Sequence, residues 1–283
     1  MTSALGVLKP FWQNKLARAG VIMVGIIVLM AIFAPLITPY SPNNSSFAPM
    51  LTPNAHHWLG TTQAGQDVYS ELIWGARQSL YVGFAAGIAS TIVGLVIGLI
   101  AGYAPGIVDD ILSYVINVFL VIPGLPLMII LAAYAPVHGS LLIIFVITVT
   151  GWAWGARVLR SQVTTLRSRD YVAAARFAGD GMWRIIFREI MPNMISLVAA
   201  GFLGAAVSAI LGAAGLEFLG LGDPSINSWG TMLYWAENSG ALLEGQWAWL
   251  FAPGFMIAVL GTALVLINFA VDEMANPRLR KKG

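Results

Sequence analysis

The 283-residue sequence predicts an all-α polytopic membrane protein with six transmembrane helices and both termini cytoplasmic. Three observations carry that reading. Hydrophobic residues make up 58% of the chain and charged residues only 10%, where a soluble domain carries about 25% charged. Six apolar windows, 20–37, 80–103, 111–134, 139–156, 193–216 and 247–271, contain no Asp, Glu, Lys or Arg, and each is close to the ~20 residues a membrane helix needs. Backbone in hydrocarbon must satisfy its own hydrogen bonds, so such runs are helices. Finally, the basic residues fall on one side. Lys9, Lys15 and Arg18 precede the first span, seven arginines lie within 157–193, and Arg278, Arg280, Lys281 and Lys282 come after the last, leaving Arg77 alone opposite. Excess Lys and Arg mark the cytoplasmic side.

Composition excludes several classes. A pI near 9.0 does not imply nucleic acid, because the charges sit at span ends rather than in a stripe. The absence of cysteine removes disulfides, thiol catalysis and Cys-ligated metal. The first window has a long apolar core and further spans come after it, which favours an uncleaved span over a signal peptide.

The first outer loop, 38–79, is rich in Pro and Asn and ends in an amphipathic stretch from about Gln66. Val68, Leu72, Ile73 and Ala76 share one face of that stretch. It either lies on the outer membrane surface or packs on the subunit as a connector. Residues 1–79 thus form an N-terminal unit of one span plus loop, and 80–283 a five-span core.

The second span places Gly83, Gly87, Gly94, Gly98 and Gly102 on one helix face. Small residues at that spacing allow close helix approach, here within the subunit in preference to a dimer seam. Gly204, Ser208 and Gly212 repeat the pattern in the fifth span. The third span is interrupted by Pro123 and Pro126, where the freed carbonyls need neighbours or cavity water. An ordinary kink is the default reading, and a broken helix lining a pathway is the alternative. His138 reads as solvated. The last outer loop is acidic and rich in Trp. Trp229, Trp235, Trp247 and Trp249 read mainly as an interfacial belt, with contact to an external partner as the second reading.

Expected chemistry is also absent. A phosphate-binding loop needs Gly-Lys-Ser/Thr, and no lysine here is preceded by a glycine. Three histidines without cysteine make a metal site improbable. The spans hold no ionisable pair of the kind ion-driven carriers use. If this chain transports, its energy comes from another polypeptide.

The cytoplasmic segment 157–193 is therefore the stretch that asks for a partner. Its arginines are Arg157, Arg160, Arg167, Arg169, Arg176, Arg184 and Arg188. One short helix starts after Asp170, an expected N-cap, and ends at Gly179, with Tyr171, Ala174, Ala175 and Ala178 on a face of mostly small residues. A second runs from Asp180 to Pro192. Trp183, Ile186, Phe187 and Ile190 form its apolar stripe, Arg184 and Arg188 lie opposite, and Asp180 is placed to cap it and to pair with Arg184. Periodicity alone leaves two readings balanced: helices resting on lipid phosphates, or helices docking a protein.

Ala-Ala-Ala-x-x-x-Gly at 173–179, with Ile190-Met191-Pro192 after it, resembles the EAA loop of ATP-binding-cassette (ABC) importer permeases. HWLGTTQAGQDVYSELIWGARQSL (57–80), LEFLGLGDPSINSWGTML (216–233) and NPRLR (276–280) are similar to blocks of the dipeptide/oligopeptide/nickel permease family. The four blocks, in order and joined by six spans, cover nearly the whole chain, and they fit the family's second permease subunit. The resemblance implies a type I ABC importer permease fold. It implies a homologous permease, two ATPase subunits and an extracytoplasmic substrate-binding protein as partners, with ATP and Mg bound by the ATPases and no cofactor in this chain. It further implies that the loop docks the ATPases through Tyr171, Ala173, Ala174, Ala175, Arg176, Gly179, Asp180, Trp183, Arg184, Arg188 and Pro192. Departures are specific: Ala173 stands where the family has Glu, Glu189 where it has a branched residue, and Met191 where it has Leu. Thr61-Thr62 and Gly65-Gln66-Asp67 replace Thr-Asp and Gly-Arg-Asp. Peptides are the implied cargo, with nickel chelates or oligosaccharides as family alternatives. A stand-alone channel or carrier would move substrate without ATP, and a scaffold would not need a broken span.

Overall fold

The computed structural model describes residues 14–275. Lys9, the NPRLR block and the terminal Lys281 and Lys282 lie outside the described residues. Within them the chain is helical, and the sole bridge pairs Thr61 with Asp67. Five helices are long and apolar enough to cross a membrane, or six if one bent pair counts as a span.

Helix α1 (Lys15–Ile32) is capped by Asn14, whose side chain accepts from the backbone of Leu16 and Ala17, satisfying donors that would otherwise face no partner. A short α2 (Ala34–Ile37) comes next. Helix α3 runs unbroken from Val68 to Tyr103, capped by Asp67. The amphipathic stretch is therefore the first turns of α3, continuous across residues 79 and 80. Its apolar face is buried in the protein, with Val68 and Ala76 fully covered, so it packs on the subunit and does not rest on lipid.

The third window is broken. α4 (Ile107–Val121) and α5 (Gly124–Ala133) meet at 87°. Pro123 is the N-cap of α5, so the missing proline N–H falls where a helix start needs none. The break replaces the ordinary kink expected from Pro123 and Pro126. Helix α6 (Ser140–Arg167) extends well beyond its apolar window, which ended at residue 156. Then come α7 (Asp170–Phe177) and α8 (Met182–Ile185), the latter continuing as a π turn over 186–190 and a 3-10 turn over 191–194. The chain then enters α9 (Ile195–Phe218), α10 (Trp229–Asn238) and α11 (Trp247–Ala275).

α3 is the axis of the bundle, packed along α6 on one side and α9 on the other, while α11 joins α1 to α9. The glycine face explains how. A Cβ built on Gly87 would stand 2.8 Å from Ala206 Cα, on Gly98 2.8 Å from Ala156 O, and on Gly102 2.7 Å from Arg160 O. Gly83 abuts Ile210 and Gly94 the carbonyl of Trp152. All five glycines meet α6 or α9 of the same chain, as the packing reading holds. Gly204 behaves differently, with open space around it and an exposed position.

The end of the bundle opposite 157–193 is tied down by polar contacts. His57 Nδ1 lies 2.9 Å from Asp67 Oδ1, while Tyr40 and Phe47 pack around the imidazole. Arg77 donates to Ala31 O at 2.5 Å and Ile32 O at 2.9 Å, closing the end of α1. Trp229 and Trp249 are buried, at 0% and 2% exposure, and belong to the core rather than to an interfacial belt; Trp235 and Trp247 are half exposed.

Candidate functional site

The 157–193 segment divides into a rooted part and an open part. Arg157, Arg160 and Arg167 sit on α6 and bind within the chain. Arg157 donates to Asn117 Oδ1 at 2.6 Å and Arg167 to Tyr103 O at 3.0 Å. Arg160 forms a bidentate pair with Asp109. These three hold α6 against α3 and α4. Arg176 likewise lies over the Tyr103 ring, with its Cζ 5.2 Å from the centroid.

The loop helices are rooted through a compact apolar cluster. Val172 from α7 and Ile185, Ile186, Ile190 and Met194 from the later turns pack with Leu99 and Tyr103 of α3 and Leu159 and Val163 of α6. None of those five loop side chains exceeds 1% exposure. Burying a side chain of this kind contributes roughly 1.5–3 kcal/mol, so the loop is anchored firmly to the spans beneath it.

The other face is open. Tyr171, Ala174 and Ala178 are exposed on α7, and Phe177 at its tip is 93% exposed. Ala173 and Ala175 are half-buried beside Val172. Trp183 and Phe187 stack at 6.1 Å and stand half in solvent. Gly179 joins the two helices at φ +86°, a conformation that costs a side-chain-bearing residue about 1–2 kcal/mol. Arg184 pairs with Asp180 at 3.1 Å, as the i, i+4 spacing predicts. Arg188 and Pro192 are exposed.

Two expected details differ. Asp170 is the first residue of α7, whose N-cap is Arg169, and Gly181 rather than Asp180 occupies the N-cap of α8; neither helix has a side-chain cap. The stripe Trp183, Ile186, Phe187, Ile190 splits between faces, with the two isoleucines buried and the two aromatics exposed. Trp183 and Phe187, four apart, share the open side, and Ile186 and Ile190, also four apart, share the buried one, with a π turn over 186–190.

A second feature lies between the spans. A cavity of about 400 Å³ is bounded by α3, α6, α9 and α11, with Ser90, Thr150, Ser208 and Asn268 among its polar lining. Asn268 Oδ1 is buried there without a partner among the described residues. Trp154 borders it and is 66% exposed, and Gly201 and Gly204 leave the α9 wall flat and open. From periodicity Gly204, Ser208 and Gly212 of α9 read as packing; Gly204 and Ser208 lie exposed, while Gly212 faces Met128 and Ile147.

A bundle of membrane-spanning helices, carrying a rooted loop with an exposed aromatic tip and a cavity between spans, defines a membrane permease. Residues 94–281 match the family described as binding-protein-dependent transport system inner membrane component. Residues 6–58 match the N-terminal transmembrane domain of oligopeptide transport permease C. The chain belongs to the binding-protein-dependent transport system inner membrane component family, the permease subunits of ABC importers. It is 33% identical over 273 residues to the oligopeptide transport system permease protein OppC of Bacillus subtilis, covering 96% of this chain and 88% of that protein. It is 34% identical to the dipeptide transport system permease protein DppC of the same organism, covering 95% and 84%. With the di/tripeptide transport system permease protein DppC of Pseudomonas aeruginosa it shares 35% identity over 96% and 93%. It is a multi-pass protein of the bacterial inner membrane.

Proposed function

We propose that this chain forms half of the translocation pathway for di- and oligopeptides and converts ATPase closure into alternating access. The observation that carries this reading is the two-sided loop at 170–194. Its inner face is welded to α3, α6 and the start of α9, and its outer face presents Phe177, Trp183 and Phe187 to solvent. An exposed aromatic cluster over a rigid root suits seating in a partner's cleft, and force applied there reaches three spans. In this reading both termini and the loop face the cytoplasm, ATP and Mg bind to two ATPase subunits, and a homologous permease supplies the other half of the pathway. The open α9 face around Gly201 and Gly204, with the neighbouring cavity, would then border the path. The peptide relatives support peptides over nickel chelates or oligosaccharides. The test is reconstitution of the purified complex in liposomes. ATP-dependent uptake of a labelled peptide into the lumen that requires an outside binding protein supports the reading. Peptide flux through this chain alone without ATP would overturn it.

A further inference from the structure

A groove of about 570 Å³ runs between α1 and α3 at the end of the bundle opposite the 157–193 loop. Val28, Ala31 and Ile32 of α1 and Leu80, Tyr81 and Phe84 of α3 line it together with Arg77. Among the described residues that lining holds one cation and no carboxylate. Ala31 and Leu80 are buried at its base, while Ile32 and Tyr81 stand more than half exposed on its walls. On two spans, such walls face acyl chains.

Arg77 sits at headgroup depth. Along α3 it lies about 39 Å from Tyr103 at 1.5 Å per residue, close to the ~40–45 Å of a bilayer with its headgroups. Its guanidinium is held in one orientation. Nε donates to Ala31 O and Nη2 to Ile32 O, and Cζ stands 4.5 Å from the centroid of the Trp74 ring. Trp74 is itself fixed by a 3.0 Å bond from its Nε1 to Thr38 Oγ1. Those bonds use two of the five N–H donors of a guanidinium. Among the described residues Nη1 meets no acceptor and no carboxylate pairs with Arg77. The two carbonyls orient the group and leave its charge unneutralised.

We propose that this groove binds one anionic phospholipid of the leaflet opposite the 157–193 loop. Its phosphate meets the open edge of the Arg77 guanidinium, whose fork matches phosphate oxygens, and one acyl chain runs along Val28, Leu80 and Phe84. Tyr81, one turn beyond Arg77, places an amphipathic ring at the boundary between headgroup and chain. The charge in the groove selects the class of lipid. A zwitterionic headgroup would bring its own ammonium beside the guanidinium, with no carboxylate in the lining to receive it.

The test uses the absence of cysteine from the chain. A bimane on Ile32→Cys, a groove position 58% exposed, reports on that spot alone. Phe255→Cys on α11, 67% exposed and outside the groove, serves as the reference. The full-length chain is placed in nanodiscs mixing phosphatidylcholine with phosphatidylglycerol, and one lipid at a time carries brominated acyl chains that quench bimane on contact. At position 32, phosphatidylglycerol should quench about fivefold more strongly than phosphatidylcholine at equal mole fraction, the scale of one cation at an anionic surface. At position 255 the two lipids should quench alike. Arg77→Met in the Ile32→Cys background should abolish the preference, and Arg77→Lys should keep most of it. Equal quenching at 32, the same preference at 255, or a preference that survives Arg77→Met would each overturn the proposal. So would a preference erased by inorganic phosphate at constant ionic strength, which would assign the guanidinium to a free anion. Should Arg77→Met loosen α1, the contrast between 32 and 255 with Arg77 in place still decides.

Discussion

Arg160 of α6 holds Asp109 of α4 by two parallel bonds, Nε to Oδ1 at 2.6 Å and Nη2 to Oδ2 at 2.8 Å. The pair matters because little else fixes the start of α4. Ile116 is the one buried residue of α4, and the helix begins after Gly106, at φ +84°. Both side chains are partly exposed, so the contribution is about 1 kcal/mol rather than that of a buried pair. Arg160→Met and Asp109→Asn should each lower the midpoint of thermal unfolding in detergent by a few degrees. Arg160→Lys should recover less than half of the loss, because an ammonium cannot reproduce the fork. Full recovery by lysine would show that charge alone, without bidentate geometry, holds α4.

The α3 glycines yield a sharper contrast. Gly87 and Gly98 face backbone atoms of α9 and α6 at distances no side chain tolerates, and backbone cannot rotate away. Gly98→Leu should therefore cost at least about 2 kcal/mol by overpacking and leave little folded protein in the membrane fraction. Gly204→Leu, with nothing within 4 Å, should leave insertion and thermal stability of this chain unchanged. A loss confined to assembled-complex yield or peptide uptake would mark the α9 face as a surface used with a partner.

How far such features were legible in the sequence depends on the distance over which each is determined. The glycine face of α3 and the Asp180–Arg184 pair are set within one helix, and their spacing alone located them. Helix α6 was harder, because Arg157, Arg160 and Arg167 look like the start of a loop until their partners Asn117, Asp109 and Tyr103 are placed beside them. Trp229 and Trp249 fit the pattern of an interfacial belt, yet Trp229 donates to Leu72 O at 3.0 Å across 157 residues of sequence. The stripe over 183–190 did not hold as one face, because Trp183 and Phe187 turn outward while Ile186 and Ile190 turn into the core. The outer cavity of about 560 Å³ lined by Gln66, Asn227 and Trp235 joins segments that no local pattern connects.

The coupling proposed for the 170–194 loop can be separated from folding. Gly179→Val must adopt φ near +86° or reorient α7 against α8, while the Val172 and Ile185 root stays intact. Trp183→Asp removes one member of the exposed stack with Phe187 and leaves the buried root in place. Both variants should insert normally and keep their melting temperatures within a few degrees. In proteoliposomes both should reduce peptide uptake at least about tenfold, the scale of losing one interfacial anchor, while the ATPases continue to hydrolyse ATP. Uptake at wild-type rates in both would exclude the exposed face as the contact that transmits force.

The clamp between α9 and α10 gives the last test. Ser228 caps α10 in a reciprocal capping box with Thr231, and its hydroxyl also donates to Glu217 Oε2 at 2.5 Å. Gly230 lies directly over the Glu217 side chain, where a built Cβ would fall 2.6 Å from Glu217 Cβ and 3.0 Å from Ala214 Cα. One carboxylate thus fixes both the start of α10 and its distance from α9. Glu217→Ala deletes the acceptor and opens a void, a loss of about 2–4 kcal/mol, whereas Glu217→Gln keeps an acceptor oxygen and should cost about 1 kcal/mol. Ser228→Ala loses the cap as well, again about 1 kcal/mol. Because the two side chains share a bond, the double variant should lose less than the sum of the singles, by roughly 1 kcal/mol. Thermal unfolding supplies those differences. Chymotryptic cleavage within 219–246 should accelerate in Glu217→Ala and scarcely change in Glu217→Gln, and strict additivity in the double variant would show that the two residues act apart.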